Sequence, residues 1–563
     1  MLVRHPQHAV CYAGAASGRG YGSHTPALSV PAGSSSSGTA TTTSTSPASR
    51  VPLVDALAAC ASQDGVASFH FPGHRRGAAA PPALARLLGL PPFAHDLPEL
   101  PELDNLFAPH DAIALAQARA AALFGAESTF FLVNGSTCGI HAAIMSTCPP
   151  GHTLILPRNC HISAFSGLVL SGAKPLYVMP SHDTDWDIAH GIDPAHVEEA
   201  FAEAKRQAEH VKIGALLITS PTYFGVCSDI RGIANVCHKH NVPLIVDEAH
   251  GAHFRFHDEL PETALQQGAD MVIQSTHKVL TSLTQSAMLH VQGNMVDSLF
   301  LGKCLQTLQS SSPSYLLLAS LDAATEHAAV NGSASLTNAI RLARKMREAL
   351  EQVEGVKVLS FSGLRNRGVR GVKAIDPLRI TIGLWEFGLS GFEVDDILRL
   401  EHLVIAELPL LQSITFALSL GTTDEDIDSL VAAFKAIAKS RPLGMRSETK
   451  VRESSFSSML YTDNIWQKGR LAPRDAYFAA SERVQAEAAC GRVCCELICP
   501  YPPGIPILVP GERISKESTD YLKAVVKYGG FVSGASDDSV KTFLVCKEDF
   551  LKHLDVGDDV CFK

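Results

Sequence analysis

VPLIVDEAHGAHFRFHDELPETALQQGADMVIQSTHK (242–278) holds two short apolar runs, each closed by a polar cluster. LIV (244–246) and MVI (271–273) are too short for helices and carry no polar alternation. Such runs read as strands buried on both faces of a parallel sheet. Ligands of parallel sheets gather beyond the carboxyl ends of the strands, so the residues closing each run matter most. Asp247 closes the first run and Ser275-Thr276-His277-Lys278 closes the second. Asp247 either faces a ligand there or accepts backbone hydrogen bonds as a structural carboxylate. A lysine at such a strand end is costly unless it is paired or covalently used. Desolvation lowers its pKa and makes it a Schiff-base candidate. The plain alternative is a side chain that reaches out to solvent.

Outward from this stretch the same text repeats. STFFLVNGST (128–137), HTLILPRN (152–159), AKPLYVMP (173–180) and IGALLITSPT (213–222) read as strands. DAIALAQARAAALFGA (111–126), VEEAFAEAKRQAEHV (197–211) and IRGIANVCHKHN (230–241) read as helices between or beside them. Strands alternating with helices predict an α/β chain with a largely parallel sheet covered on both faces. Gly135-Ser136-Thr137, after Asn134, opens a helix-like stretch, where backbone N–H groups and the helix dipole favour an anion. Ser and Thr at such a place also serve as ordinary caps. Beyond the sheet, a long helix is expected at 334–352, a strand within 369–384, and helices within 391–408 and at 424–440.

The composition narrows the function classes. Among 563 residues, 46% are hydrophobic and 18% charged, a core-building balance that excludes disorder for most of the chain. The net charge is 47 − 57 = −10, without a basic block, so nucleic acid is not an expected partner. No apolar run reaches membrane-spanning length, so no span is expected. Residues 1–50 hold Arg4, Arg19 and Arg50, no acid, and 16 Ser and Thr. An acid-free, hydroxyl-rich, arginine-bearing start fits an organellar transit peptide, with chloroplast as the expected destination and mitochondrion the alternative. Fourteen cysteines without a secretory signal suggest free thiols. The cluster Cys490, Cys494, Cys495, Cys499 lacks zinc-knuckle spacing, and CGRVCCELIC (490–499) reads as a strand, so no metal is expected.

An anion loop, then an aspartate, then a lysine about 30 residues later is the order found in pyridoxal-phosphate enzymes of the aspartate-aminotransferase fold. Several motifs sharpen the resemblance: FHFPGHRRG (69–77), ELDNLFAP (102–109), FFLVNGSTCGI (130–140), RNCHIS (158–163), SPTYFGV (220–226), VDEAHGAHF (246–254), QSTHK (274–278), SPSYLLLASLD (312–322) and YPPGIPILVPGE (501–512). Together they resemble the Orn/Lys/Arg decarboxylase family in its shorter form, without an N-terminal wing domain. The resemblance implies a mostly parallel seven-stranded sheet, a small α+β domain and a separate C-terminal α+β domain. The expected division is a disordered address at 1–50, an N-terminal arm and large cofactor domain at 51–330, the small domain at 331–440, a linker at 441–458 and the C-terminal domain at 459–563.

The resemblance also implies roles. Lys278 matches the lysine that attaches pyridoxal 5'-phosphate, Asp247 the partner of its ring nitrogen, and His161 the residue stacked on its ring. Gly135, Ser136, Thr137, Ser275 and His277 match the phosphate-binding positions. His250 would sit near the reacting centre and share proton transfer with Lys278. Arg379 is a candidate for the substrate α-carboxylate. A cationic substrate calls for a distal carboxylate, for which Asp322, Glu407 and Glu496 are candidates. The implied reaction is decarboxylation of arginine first, with lysine or ornithine next, in polyamine biosynthesis, by a homodimer or higher homo-oligomer with shared sites. An aminotransferase or aldolase of the same fold, and an inactive decarboxylase-like regulator, are the competing readings.

Overall fold

The computed structural model describes residues 50–183, 185–207, 211–440, 471–501 and 504–553. The expected linker, 441–458, and all of the expected address but Arg50 lie outside the described residues. Seven strands form the central sheet: β1 Ser128–Leu132, β2 Thr153–Pro157, β3 Lys174–Val178, β4 Ile213–Thr219, β5 Leu244–Asp247, β6 Met271–Gln274 and β7 Ala287–Val291. Their order is β1-β7-β6-β5-β4-β2-β3. β6, β5, β4, β2 and β3 run parallel to their neighbours in that series. β7 is antiparallel to both β6 and β1.

The continuous apolar runs are explained by two cores. Leu244 and Val246 of β5 join one cluster with Leu216, Ile218 and Val272. Ile245, one residue out of phase, joins another with Leu217, Met271 and Ile273 on the opposite face. Side chains of a strand alternate between faces, so only a sheet covered twice uses three apolar residues in a row. Each such side chain contributes about 1.5–3 kcal/mol of burial. Polar residues are therefore pushed to the strand ends, which is where Asp247 and the Ser275–Lys278 turn stand.

The helix expected at 334–352 begins earlier, at Tyr315, and runs to Glu351 as one element of 37 residues, through the boundary expected at 330. Beyond it, β8 Lys357–Val358, β9 Arg379–Gly383, β10 Leu408–Pro409 and β11 Ser413–Ala417 form an antiparallel sheet in the order β8-β9-β11-β10. Helices Gly391–Glu401 and Asp424–Ser440 accompany it, around a separate core. The C-terminal part pairs Ser481–Gln485 with Thr542–Cys546 and Cys499–Tyr501 with Phe531–Ser533, and carries the helix Lys516–Lys527. CGRVCCELIC is not one strand. Gly491, at φ 81°, turns the chain, and Val493, Cys494 and Ile498 make isolated bridges. Among the described residues, no helix is long and apolar enough to cross a membrane.

Candidate active site

Lys278 lies in the short helical turn Thr276–Val279 after β6, beyond the strand end. Solvent reaches it, yet protein atoms crowd its amine. Burial is the main reason its pKa is lowered, while the charges of Asp247 and Glu407 oppose that shift and Arg379 adds to it. Asp247 is buried, which raises its carboxyl pKa, while Lys278 and the N–H of Ala249, 3.2 Å from Oδ1, pull it down. His250 follows three residues later and is also buried. Its Nε2 lies 3.1 Å from Nζ of Lys278 and its Nδ1 3.1 Å from Nη2 of Arg379. Burial, then the Lys278 and Arg379 charges, push its pKa well below the ordinary histidine value. The Tyr223 ring packs against His250, with centroids 4.7 Å apart, and stands 5.8 Å from the Lys278 amine.

A second cluster stands at the amino end of the helix Gly135–Thr147. Asn134 gives this helix no side-chain cap, because its amide donates instead to the Leu308 carbonyl at 3.2 Å. Gly135 takes φ 73°, a conformation glycine adopts without a Cβ penalty, and its N–H bonds Gln285. The helix therefore opens with uncapped N–H groups beside hydroxyls, since Ser136 Oγ is 2.7 Å from Ser275 Oγ. Thr276 Oγ1 is buried with no hydrogen-bond partner. His277 Nδ1 contacts the Ser286 carbonyl at 2.8 Å, an acceptor, so Nδ1 carries the hydrogen. Uncapped donors and a positive dipole end fit an anionic phosphate, while a buried carboxylate at Asp247 fits a protonated ring nitrogen. The residues present thus fit pyridoxal phosphate.

His161 caps the helix Ile162–Ser171, its Nδ1 accepting from the Ser163 N–H at 3.2 Å and lying 2.9 Å from Ser163 Oγ. Burial, then Lys278 and His141, lower its pKa to about 4, so the ring is neutral. Its outer edge is roofed by the C-terminal part. A Cβ placed on Gly504 would fall 3.0 and 3.1 Å from His161 Cδ2 and Nε2. The Gly504 carbonyl accepts from the Ile162 N–H at 2.8 Å. This contact is anchored by Arg158, fully buried, whose guanidinium reaches Glu512 at 3.0 and 3.2 Å and the Pro506 carbonyl at 2.6 Å. The guanidinium also lies over the Phe165 ring at 4.9 Å.

The candidate distal carboxylates separate. Asp322 accepts from the N–H groups of Leu53 and Val54 at 2.9 and 3.2 Å, so it caps the helix Pro52–Ala61. Glu496 accepts from Ser536 and Leu544 N–H groups at 2.7 Å each, inside the C-terminal part. Asp322 Oδ2 and both Glu496 oxygens thus meet backbone donors that would otherwise be unsatisfied. Glu407 is exposed, and its charge acts on both Lys278 and Tyr223. Arg379 is buried with its guanidinium on His250. Sequence reasoning gave no role to Tyr223, Arg158 or Glu512, although all three stand inside the quoted motifs. Their polarity amid apolar text was the available signal.

Comparison with known proteins identifies the family. The family model described as Orn/Lys/Arg decarboxylase, major domain, matches residues 51–426, and that for the C-terminal domain matches 457–536. The chain is 37% identical to an arginine decarboxylase of Halalkalibacterium halodurans over 89% of this chain and 98% of that one. It is 36% identical to an arginine decarboxylase of Bacillus subtilis over 88% and 98%. Among solved structures, the Escherichia coli constitutive lysine decarboxylase superposes with a TM-score of 0.75 at 21% identity, covering 88% of this chain and 82% of that one, which establishes the fold. The curated arginine decarboxylase relatives are bacterial, with no plastid or mitochondrion for an address to serve. The organellar reading of residues 1–50, chloroplast and mitochondrion alike, is withdrawn on that finding. With matches across both parts of the fold and nearly the whole length of these relatives, the chain belongs to the Orn/Lys/Arg decarboxylase family and is an amino-acid decarboxylase.

Proposed function

We propose that this decarboxylase takes a cationic L-amino acid, arginine first and lysine or ornithine next, and releases the corresponding amine and carbon dioxide for polyamine biosynthesis. The observation that carries the reading is the convergence of Lys278, Asp247 and His250 at neighbouring strand ends, in a chain aligned over 98% of an arginine decarboxylase. Pyridoxal 5'-phosphate, when bound, supplies an electron sink for the bond pair that carbon dioxide leaves behind. Lys278 would attach it through its amine. Asp247 holds a proton at the ring nitrogen, a burial that a carboxylate tolerates only beside a cation. Ser136, Thr137, Ser275, His277 and the helix N–H groups from Gly135 onward would hold its phosphate, and His161 would face its ring. Arg379, a buried cation next to Lys278, receives the α-carboxylate. His250 or Lys278, in its protonated form, returns a proton to Cα after carbon dioxide has left. Glu407 supplies the carboxylate for a distal cation, and a second copy of the chain completes the site.

Supplying L-arginine, L-lysine and L-ornithine in parallel, with amine and carbon dioxide both quantified, tests this reading. Agmatine and equimolar carbon dioxide from arginine are expected. A keto acid without carbon dioxide would favour an aminotransferase instead, and no product from any of the three would favour the inactive regulator.

A further inference from the structure

Arg379 opens β9 and is buried, and its guanidinium carries only N–H donors. Its Nη2 lies 3.1 Å from His250 Nδ1, so in that hydrogen bond Nδ1 must be the acceptor. A neutral imidazole has one acceptor nitrogen and one donor nitrogen, which places the hydrogen on Nε2. Nε2 lies 3.1 Å from Lys278 Nζ. An N–H aimed at that nitrogen needs a lone pair, and an ammonium has none. Both contacts are hydrogen bonds in one protonation pattern: Arg379 donates to His250, His250 donates to Lys278, and Lys278 is a free amine.

We propose that Arg379 is a positioning residue which, through the tautomer of His250, holds the Lys278 amine neutral with its lone pair fixed. The role rests on the reading of Lys278 as the cofactor-attaching lysine and is additional to carboxylate binding. A free amine can add to an aldehyde carbon, whose oxygen then leaves as water, and an ammonium cannot, so the chain would keep Lys278 ready to bond the cofactor aldehyde whenever the lysine is released. Other groups facing the amine are Asp247 and Glu407, which favour the ammonium, and His161 and the Tyr223 ring. Behind His250, His253 Nε2 lies 3.1 Å from Asp376 Oδ2, and Asp376 also acts on Arg379. Burial lowers the pKa of both His250 and Lys278, in keeping with a neutral pair.

The test uses cofactor-free full-length protein. Lys278 is acetylated with acetic anhydride from neutral to alkaline pH, and its extent of reaction is read by peptide mass spectrometry against the exposed Lys516. Arg379→Ala should raise the reaction midpoint of Lys278 by about one pH unit, the worth of a single hydrogen bond to the neutral form. Arg379→Lys keeps a donor and a charge and should stay near wild type. The discriminating arm repeats Arg379→Ala in a His250→Phe background, where the shift should fall to a third or less. An equal shift in both backgrounds would mean that Arg379 acts through charge alone and would overturn the proposal. So would an unmoved midpoint in Arg379→Ala. His250→Gln, whose amide can accept from Arg379 and donate to Lys278, should retain the wild-type midpoint and its sensitivity to Arg379→Ala. Loss of both would also count against the chain. Failure of the decarboxylase reading would appear separately, as absence of amine from the wild-type holoenzyme.

Discussion

The fully buried Arg158 makes a sharp prediction about how the C-terminal part is held. Its guanidinium donates to both Glu512 carboxylate oxygens, at 3.2 and 3.0 Å, and to the Pro506 carbonyl at 2.6 Å. Glu512 also accepts from the Val509 N–H at 3.0 Å. Glu512→Gln keeps the shape but turns an amide N–H toward the guanidinium and leaves a cation without a counter-charge. Removing one partner of a buried pair costs about 3–5 kcal/mol, because the remaining charge stays desolvated. The loss falls on the contact between Arg158 and the 506–512 segment, so the C-terminal part should loosen before the central sheet melts.

The assay is thermal and urea unfolding of wild type, Glu512→Gln and the double variant Arg158→Met/Glu512→Leu, with limited proteolysis as a local probe. At about 2–4 °C per kcal/mol for a domain of this order, the single variant should lose more than about 5 °C. Cleavage should appear first C-terminal to residue 441. The double variant replaces the pair by apolar groups and should recover most of the loss, since well-packed hydrophobic replacements of buried pairs are close to neutral. A single-variant cost below about 1 kcal/mol, the range of exposed pairs, would refute the buried-latch reasoning.

Gly504 takes φ 85° with its Cβ direction against the His161 ring, so Gly504→Val should displace that ring and weaken pyridoxal-phosphate affinity by roughly tenfold, about 1.4 kcal/mol. Unchanged affinity in a cofactor titration would show that the roof does not fix His161. Histidine burial also sets a pH dependence: His141 and His161 are held down to about 4 and His290 to about 3, chiefly by desolvation. The unfolded chain, with ordinary histidines near about 6.5, then binds more protons in the window from about 6.5 down to about 4, so stability falls as pH falls through it, by up to about 1.4 kcal/mol per unit for each group. Glu248 and Asp322, raised by burial to about 8 and about 6, act in the opposite direction. The histidine contribution is therefore read as the difference between wild-type and His290→Gln urea midpoints, which should move against the wild type as pH falls from about 6.5 to about 4. A difference that does not change with pH would contradict the burial of this ring.

The placing of Asp247 and Lys278 at neighbouring strand ends was legible because a twice-covered sheet leaves polar residues nowhere to go but strand ends, and these two interrupt otherwise apolar text. The seventh strand, Ala287–Val291, was not read from its own residues: no crossover helix precedes it, and the chain returns antiparallel within a few residues of Lys278. The helix start at Tyr315 was hidden by the family-like run SPSYLLLASLD, whose Asp322 looked like a site acid until its backbone partners Leu53 and Val54 became visible. The backbone partners of Glu496 were hidden in the same way. A carboxylate that caps backbone and one that binds substrate have the same local sequence. Arg158 and Glu512 stand far apart in the chain, so only the fold brings the latch together. The address reading of residues 1–50 rested on composition alone, and bacterial relatives overturned it.

Lys278→Ala tests most directly whether Lys278 bonds the cofactor and thereby enables decarboxylation. Wild type and variant are loaded with pyridoxal phosphate, reduced with borohydride and examined by peptide mass spectrometry, while carbon dioxide from carboxyl-labelled L-arginine is counted in parallel samples left unreduced. A pyridoxyl adduct is expected on Lys278 in the wild type and none at that position in the variant, which should also lose carbon dioxide release. Sustained carbon dioxide release by Lys278→Ala, or an adduct on a different lysine of the active wild type, would contradict it.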